Sequence, residues 1–441
     1  MKRYFVLVAA LLSALTGAAA DYELKTQPTA TRGDYKIEAW TERENGLYRD
    51  GEEIVFNIQL LKGGKPLAGE KLVYSFRGDH FSAGKGELTT AETPLAVKVK
   101  PKGAGFTLIK VDYQLSPKEK IYARAGALTD AETLLPGRPA PADFADFWRR
   151  QREAVLADRS PASVSPVPVD PAYQGKLELY DVQIPVPGTK PVSAYLTVPA
   201  NPAGRKFPAL ITFHAAGVRS SLKQYDFAAK GFLVLDLNAH GLPNGNPAAE
   251  YTKLYQGSMK DYRLENAGDR EKIYFNGMFR RLIRALEYVK DRSDWDGRTL
   301  IVHGGSQGGG QALVAAGLDP AVSGVIAHEP ALCDHSGIFA GRDAGWPRFI
   351  AFKNRQPLDP AIAAAVPYYD AAYFAAGIKH AKVLVTTGLI DTTCVPSSVF
   401  AAYNSIPSPD KKIVVFPQAI HGVYPEFEAL TAEFLNQAIK P

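Results

Sequence analysis

Gly304-Gly305-Ser306-Gln307-Gly308 follows the apolar run TLIVHG and precedes GGQALVAAGL, a stretch able to run as a helix. A Gly-x-Ser-x-Gly turn from strand to helix needs its glycines because the backbone is strained there and the two elements approach closely. The turn lifts the serine hydroxyl above the sheet, at a helix N-terminus. Five residues alone are a weak signal, but the strand-turn-helix setting makes Ser306 a candidate nucleophile. Phosphate-cradling alternatives fail on detail, since no Gly-Lys-Ser/Thr follows and the glycines miss the Gly-x-Gly-x-x-Gly spacing.

A serine hydroxyl is a poor nucleophile until a base takes its proton and an acid orients that base, in the chain order Ser, Asp or Glu, His. The run KVLVTTG ends at Leu389-Ile390-Asp391, and KIVVF is followed by PQAIHG with His421. Asp391 and His421 are therefore the predicted acid and base. A tetrahedral intermediate also needs two N–H donors for its oxyanion. The backbone of Gln307 is one, and that of Ala216, in the turn after FPALITF, is the choice for the second. His214, His240, His303, His328 and His335 also fall at strand ends, but without an HExxH or comparable ligand spacing, so neither a metal nor a cofactor is expected. His303 reads as a core histidine. His240, Glu329, Asp334 and His335 are candidates to line a polar substrate cleft, with a structural role as the alternative.

These side chains need a sheet with its carboxyl ends gathered on one rim. From about Phe144 the pattern turns helical, and FPALITF, GFLVLDL, TLIVHG, SGVIAHE, KVLVTTG and KIVVF then alternate with helical stretches such as YFNGMFRRLIRALEYVK. Runs apolar on both faces are strands buried in a parallel sheet, so residues 129–441 are predicted as a doubly wound α/β domain. Residues 21–128 read differently. YKIEAW, EIVFNIQL, KLVYSF, PLAVKV and FTLIKVDYQL alternate apolar and polar residues between Gly-rich turns, which predicts a small all-β sandwich. Its aromatics Tyr35, Trp40, Tyr74 and Phe76 sit within strand patterns, where core is the usual explanation, so a structural or interdomain role is favoured over sugar binding.

The first 20 residues put Lys2 and Arg3 before a short apolar run that ends in Ala18-Ala19-Ala20, the layout of a secretory signal peptide cut near Ala20. The run is short for a membrane span of about 20 residues. A periplasmic or secreted chain without a membrane anchor is expected. With 51 Lys and Arg against 46 Asp and Glu, the net charge of +5 lacks the dense basic stripe that nucleic acid requires. Hydrophobic residues at 46% and charged residues at 22% describe an ordinary globular chain, and two cysteines cannot build a disulfide framework. Cys333 and Cys394 read as two free, buried thiols.

From about Pro141 onward the sequence resembles the acetyl xylan esterase and cephalosporin C deacetylase family of α/β hydrolases. The resemblance is carried by GGSQGGG around Ser306, YFNGMFRRLIRALE from Tyr274, GLIDTTCVPSSVFAAYN from Gly388, and His421. It implies removal of acetyl groups from acetylated carbohydrate such as xylan or its oligosaccharides, with Ser306, Asp391 and His421 at the triad positions. Two turns depart from the family. His214-Ala215-Ala216 stands where the family has His-Gly-Tyr, and Asn238-Ala239-His240-Gly241 replaces Arg-Gly-Gln. The N–H donor survives at Ala216, whereas the tyrosine ring that narrows the family's site is lost. Trp346 or Tyr368 is expected to fill that space and keep acetyl esters ahead of butyryl esters. Short family members resemble ring-shaped hexamers; a homo-oligomer stays open here, because the added sandwich could block the ring. The alternatives are a broad esterase or peptidase of the same fold, and a non-catalytic carbohydrate-binding protein.

Overall fold

The computed structural model describes residues 31–200, 204–353 and 356–439. The expected signal segment lies outside these residues. Two five-stranded sheets face each other in the first part of the chain. One contains Tyr35–Thr41, Ile54–Lys62 and Leu95–Val99; the other contains Lys71–Gly78, Ser82–Thr89, Gly105–Ser116 and Glu119–Thr129. Period-two burial aims Ile37, Phe56, Ile58, Leu72, Ile109 and Val111 inward, and these form one core between the sheets. Tyr35, Tyr74 and Phe76 pack on the margin of that core.

A nine-stranded sheet follows: β1 (Ser163–Pro166), β2 (Leu177–Ile184), β3 (Val192–Pro199), β4 (Phe207–Phe213), β5 (Leu233–Leu237), β6 (Trp295–Gly305), β7 (Gly324–His328), β8 (Lys382–Gly388) and β9 (Lys411–Phe416). Its spatial order is β1-β2-β3-β5-β4-β6-β7-β8-β9, antiparallel through β3 and parallel from β5 to β9. Every residue of β3, β5 and β7 is buried. The reason is that helices cover both faces. Ile211, Val302 and Val325 pack on one face with α2 (Tyr274–Lys290) and α3 (Gln307–Leu318), while Leu210, Ile301 and Ile326 pack on the other with Phe434 and Leu435 of α4 (Pro425–Ala438). Helix α2 lies beside α1 (Phe144–Ala157), the helix that opens this part of the chain. Phe275, Met278, Phe279, Leu282 and Leu286 recur on one side of α2, the spacing that makes a buried stripe. This is the α/β-hydrolase sheet, preceded by a sandwich. No helix among the described residues is long and apolar enough to cross a membrane.

Sandwich and sheet share a packed seam. Phe106, Leu108, Leu128 and Leu134 join Leu389, Ile390, Val395 and Phe400 in one apolar cluster. Polar contacts flank it: Asp343 N–H donates to Asp79 (2.8 Å), and Asn404 Nδ2 donates to the carbonyls of Ala131 and Leu134 (2.8 Å each).

Candidate active site

Ser306 caps α3 with φ 55° and ψ −121°, a conformation that a non-glycine residue holds only when its surroundings enforce it. They do so here: Ser306 N–H donates to His328 O (2.9 Å), and Gly310 N–H and Ala331 N–H both donate to Ser306 O (3.0 and 2.9 Å). A side chain at Gly308 would strike the Phe213 carbonyl, and one at Gly304 would strike Gly308, so these glycines permit the close approach of strand and helix. Gln307 opens α3, where its N–H has no carbonyl one turn earlier in the helix.

His421 lies in the loop between β9 and α4, with Nε2 2.9 Å from Ser306 Oγ and Nδ1 2.7 Å from Asp391 Oδ2. Asp391 is fully buried, and its Oδ1 accepts from Thr393 N (2.7 Å) and Cys394 N (2.9 Å). Those bonds leave Oδ2 for the imidazole. With Nδ1–H directed at Asp391, Nε2 is the acceptor for the serine proton. The loop itself is braced by Tyr424, whose hydroxyl bridges Ile420 N and Ile420 O (2.8 and 3.0 Å). Ser306, His421 and Glu329 open onto a cavity of about 1000 Å³, with Tyr225, Phe227 and Phe427 on its wall. The tightest cluster of metal-ligating side chains among the described residues, Asp391, Cys394 and His421, belongs to this same constellation. Cys333 and Cys394 are free and buried.

The turns after β4 and β5 are cross-braced by two neutral histidines. His214 Nε2 accepts from Ala239 N (3.1 Å), while His240 donates to Gly217 O (2.9 Å) and accepts from Tyr274 OH (2.8 Å). Burial pushes the first down to about 3 and the second down to about 4. Ala216 is exposed at the tip of its turn, and it is the neighbouring His214 and Ala215 that reach the cavity. Tyr262 was not legible as a site residue. Its buried hydroxyl donates to Gln307 Oε1 (2.6 Å) and its ring packs edge-on against His240 (4.7 Å), tying the elbow to the same turn.

Of the four residues expected in a substrate cleft, Glu329 alone reaches the cavity wall. His240 is buried behind the turn with both ring nitrogens bonded. Asp334 accepts from Gly137 N (2.8 Å) and pairs with Arg342 (2.7 Å), so it pins the segment that leaves the sandwich. His335 is buried edge-on against Phe349, with ring centres 4.9 Å apart. His240 and Asp334 are thus polar residues whose partners are protein groups, whereas both ring nitrogens of His335 are buried without a hydrogen-bond partner among the described residues. Nor do Trp346 and Tyr368 fill the space opened at Ala216: Trp346 packs on Phe275, and Tyr368 bonds Asp143 and Arg270 beside Phe147.

The order of the sheet, the strained serine elbow on β6 and the two loops beyond β8 and β9 put the molecule among the α/β hydrolases. Residues 125–438 match the acetyl xylan esterase (AXE1) family model, and the chain belongs to that family of carboxylic ester hydrolases. The match begins upstream of Pro141, inside the last strand of the sandwich. Acetyl esterase Axe7A of Xylanibacter ruminicola is 28% identical over 424 residues, covering 94% of this chain and 91% of its own. The acetyl xylan esterase of Paenibacillus sp. R4 superposes with a TM-score of 0.58 at 26% identity, over 70% of this chain and 98% of its own. Acetyl xylan esterase 1 of Thermoanaerobacterium sp. JW/SL YS485 gives 0.57 at 25%, over the same shares.

Proposed function

We propose that the protein is a secreted or periplasmic serine esterase that removes acetyl groups from acetylated xylan or its oligosaccharides through an acetyl-enzyme. The observation that carries this reading is the continuous chain from Ser306 Oγ through His421 to Asp391, with contacts of 2.9 and 2.7 Å at the cavity. Ser306 Oγ attacks the ester carbonyl carbon while His421 Nε2 takes its proton. Negative charge gathers on the carbonyl oxygen, facing the N–H groups of Gln307 and of the turn at Ala215 and Ala216. The ester C–O bond breaks as the imidazolium returns the proton to the sugar oxygen. Water, deprotonated by the same nitrogen, then attacks the acetyl-enzyme and releases acetate. This chemistry needs neither metal nor cofactor.

Residues 21–128 form the sandwich domain and 129–441 the catalytic domain in this reading, and the signal-like layout of residues 1–20, with cleavage expected near Ala20, supports export. The test is hydrolysis of 4-nitrophenyl acetate, acetylated xylan and an aminoacyl anilide by the wild type and Ser306→Ala. Acetate release from xylan that vanishes in a folded Ser306→Ala protein is the expected result. Anilide cleavage exceeding ester cleavage would refute it.

A further inference from the structure

Glu329 follows β7 and faces the imidazole from the side opposite Ser306. Its Oε2 lies 3.4 Å from His421 Nδ1, the nitrogen that Asp391 engages at 2.7 Å. The same Oε2 accepts Gly422 N–H (3.0 Å), the residue after the histidine, while Oε1 has no hydrogen-bond partner among the described residues. The side chain is 2% exposed, and Glu329 sits at φ 42° with its own N–H bonded to Thr386 O (3.0 Å). A buried acid with one idle oxygen, on a backbone that disfavours any side chain, is costly to keep. An acceptor for Gly422 alone would not require a carboxyl group.

We propose that Glu329 is a positioning residue for His421, a second acid that shares the Nδ1 side of the imidazole with Asp391 and becomes its partner when Asp391 is removed. The proposal rests on the reading of Ser306, His421 and Asp391 as the working triad.

The groups facing Glu329 come from three places. Asp391 and Cys394 approach from the loop after β8, His421 and Tyr424 from the loop before α4, and His328 from its own strand. Burial pushes the Cys394 thiol and the Tyr424 phenol up and His328 down to about 3, so these stay neutral at working pH. Burial also pushes the Glu329 carboxyl up, and the Asp391 charge adds to that push, so the intact site disfavours a second charge on Glu329. Replacing Asp391 with a neutral residue removes the second push. Glu329 then ionises at lower pH and can hold the imidazolium.

The experiment is a double-mutant cycle on 4-nitrophenyl acetate, with kcat/KM followed from pH 5 to 10. Glu329→Gln alone is expected to cost less than about fivefold. Asp391→Asn should lose much less than the roughly 10⁴-fold typical of a triad acid, and its activity should climb with pH. Adding Glu329→Gln to it should cost about a further 30-fold and erase the climb. A downfield proton resonance of His421 Nδ1–H should survive in Asp391→Asn and vanish in the double variant. Should the Asn variant not fold, the same cycle is run on Asp391→Ala. An equal cost of Glu329→Gln in both backgrounds, with superimposable pH profiles, overturns the proposal. Ser306→Ala separates the two failures. A hydrolytically competent Ser306→Ala enzyme sinks the triad reading itself, whereas an inert one with an additive cycle sinks the second acid alone.

Discussion

The proposed nucleophile and the proposed acid of this site are held in different ways. Ser306 is fixed from within the hydrolase sheet, by a glycine-lined approach of α3 to β4 and β6 and by backbone hydrogen bonds to and from its own peptide groups. Asp391 sits on a loop whose preceding residues, Leu389 and Ile390, are packed into the sandwich. Gly126, on the last sandwich strand, lies so close to the Leu389 carbonyl that any side chain there would collide with it, and a side chain at Gly46 would overlap Leu389 Cδ1. One half of the chemistry is thus self-contained, and the other is buttressed by a neighbouring layer. The difference places the sandwich in direct contact with the segment that carries Asp391, and the family match, which begins at residue 125, takes in Gly126.

The largest effect tests the self-contained half. Ser306→Ala should lower kcat by about 10⁴-fold or more while the melting curve stays near that of the wild type, because only a hydroxyl is lost. Residual hydrolysis at wild-type rates would remove Ser306 from the mechanism. The next effect tests the buttress. Gly126→Val must push Leu389 aside, and overpacking of this kind costs about 1–3 kcal/mol. Where that strain is relieved by shifting the Asp391 loop, kcat/KM should drop about 10- to 100-fold. Val73→Thr, on an exposed sandwich position, should leave activity unchanged. If Gly126→Val hydrolyses acetate as the wild type does, the sandwich does not support the acid.

The same contrast explains what could be read from residues alone. The elbow is a local signal, five residues between an apolar run and a helical one, and the buried strands announce themselves because helices cover both faces. The order of serine, aspartate and histidine along the chain was therefore legible. The buttress was not, since Gly126 and Leu389 are far apart in sequence and neither carries a pattern that names its partner. Glu329 was visible as a polar residue at a strand end, but its approach to His421 depends on three separate segments meeting. Tyr262 sits in a single helical turn with no periodicity to reveal it. For His240 and Asp334 the structural alternative needed the packed structure, which alone supplies the protein partners that turn them inward; His335 is turned inward by apolar packing against Phe349, with its ring nitrogens unpartnered among the described residues.

A smaller effect concerns the flank of the seam. His335 lies between Asp334 and Ser336, which hold Gly137 and Arg138 of the connecting segment (2.8 and 3.0 Å). Burial pushes its imidazole down to about 3 from an ordinary value near 6.5. A depressed histidine contributes stability that is fully present above the unfolded-state value and is lost as pH falls toward the folded-state one. His335→Leu lacks this penalty. Relative to wild type it should therefore gain about 1.4 kcal/mol per pH unit on acidification below about 6.5. Urea unfolding of both proteins between pH 4.5 and 8 would measure the gap, and parallel curves would show that His335 does not titrate with folding.

The smallest effect concerns acyl size, where the structure removes one support for the expectation drawn from the family. An acetyl-only site excludes longer chains sterically, since two further methylenes would otherwise bring about 1.6 kcal/mol of favourable burial. The residues expected to close the space opened at Ala216 are engaged elsewhere: Trp346 packs on Phe275, and Tyr368 lies beside Phe147. The cavity beside Ser306 measures about 1000 Å³ and carries aromatic walls at Tyr225 and Phe227. If this space receives the acyl chain, kcat/KM for 4-nitrophenyl butyrate should lie within about tenfold of that for acetate, a difference below about 1.4 kcal/mol in transition-state binding. Ala216→Tyr puts a ring at the mouth of this space and should depress butyrate turnover about threefold more than acetate turnover, without touching the chain from Ser306 to Asp391. Acetate ahead of butyrate by well over tenfold in the unaltered enzyme would mean that the throat next to the oxyanion donors is narrow despite the open cavity behind it. Selectivity would then belong to the turn that His214 and His240 brace, rather than to the walls.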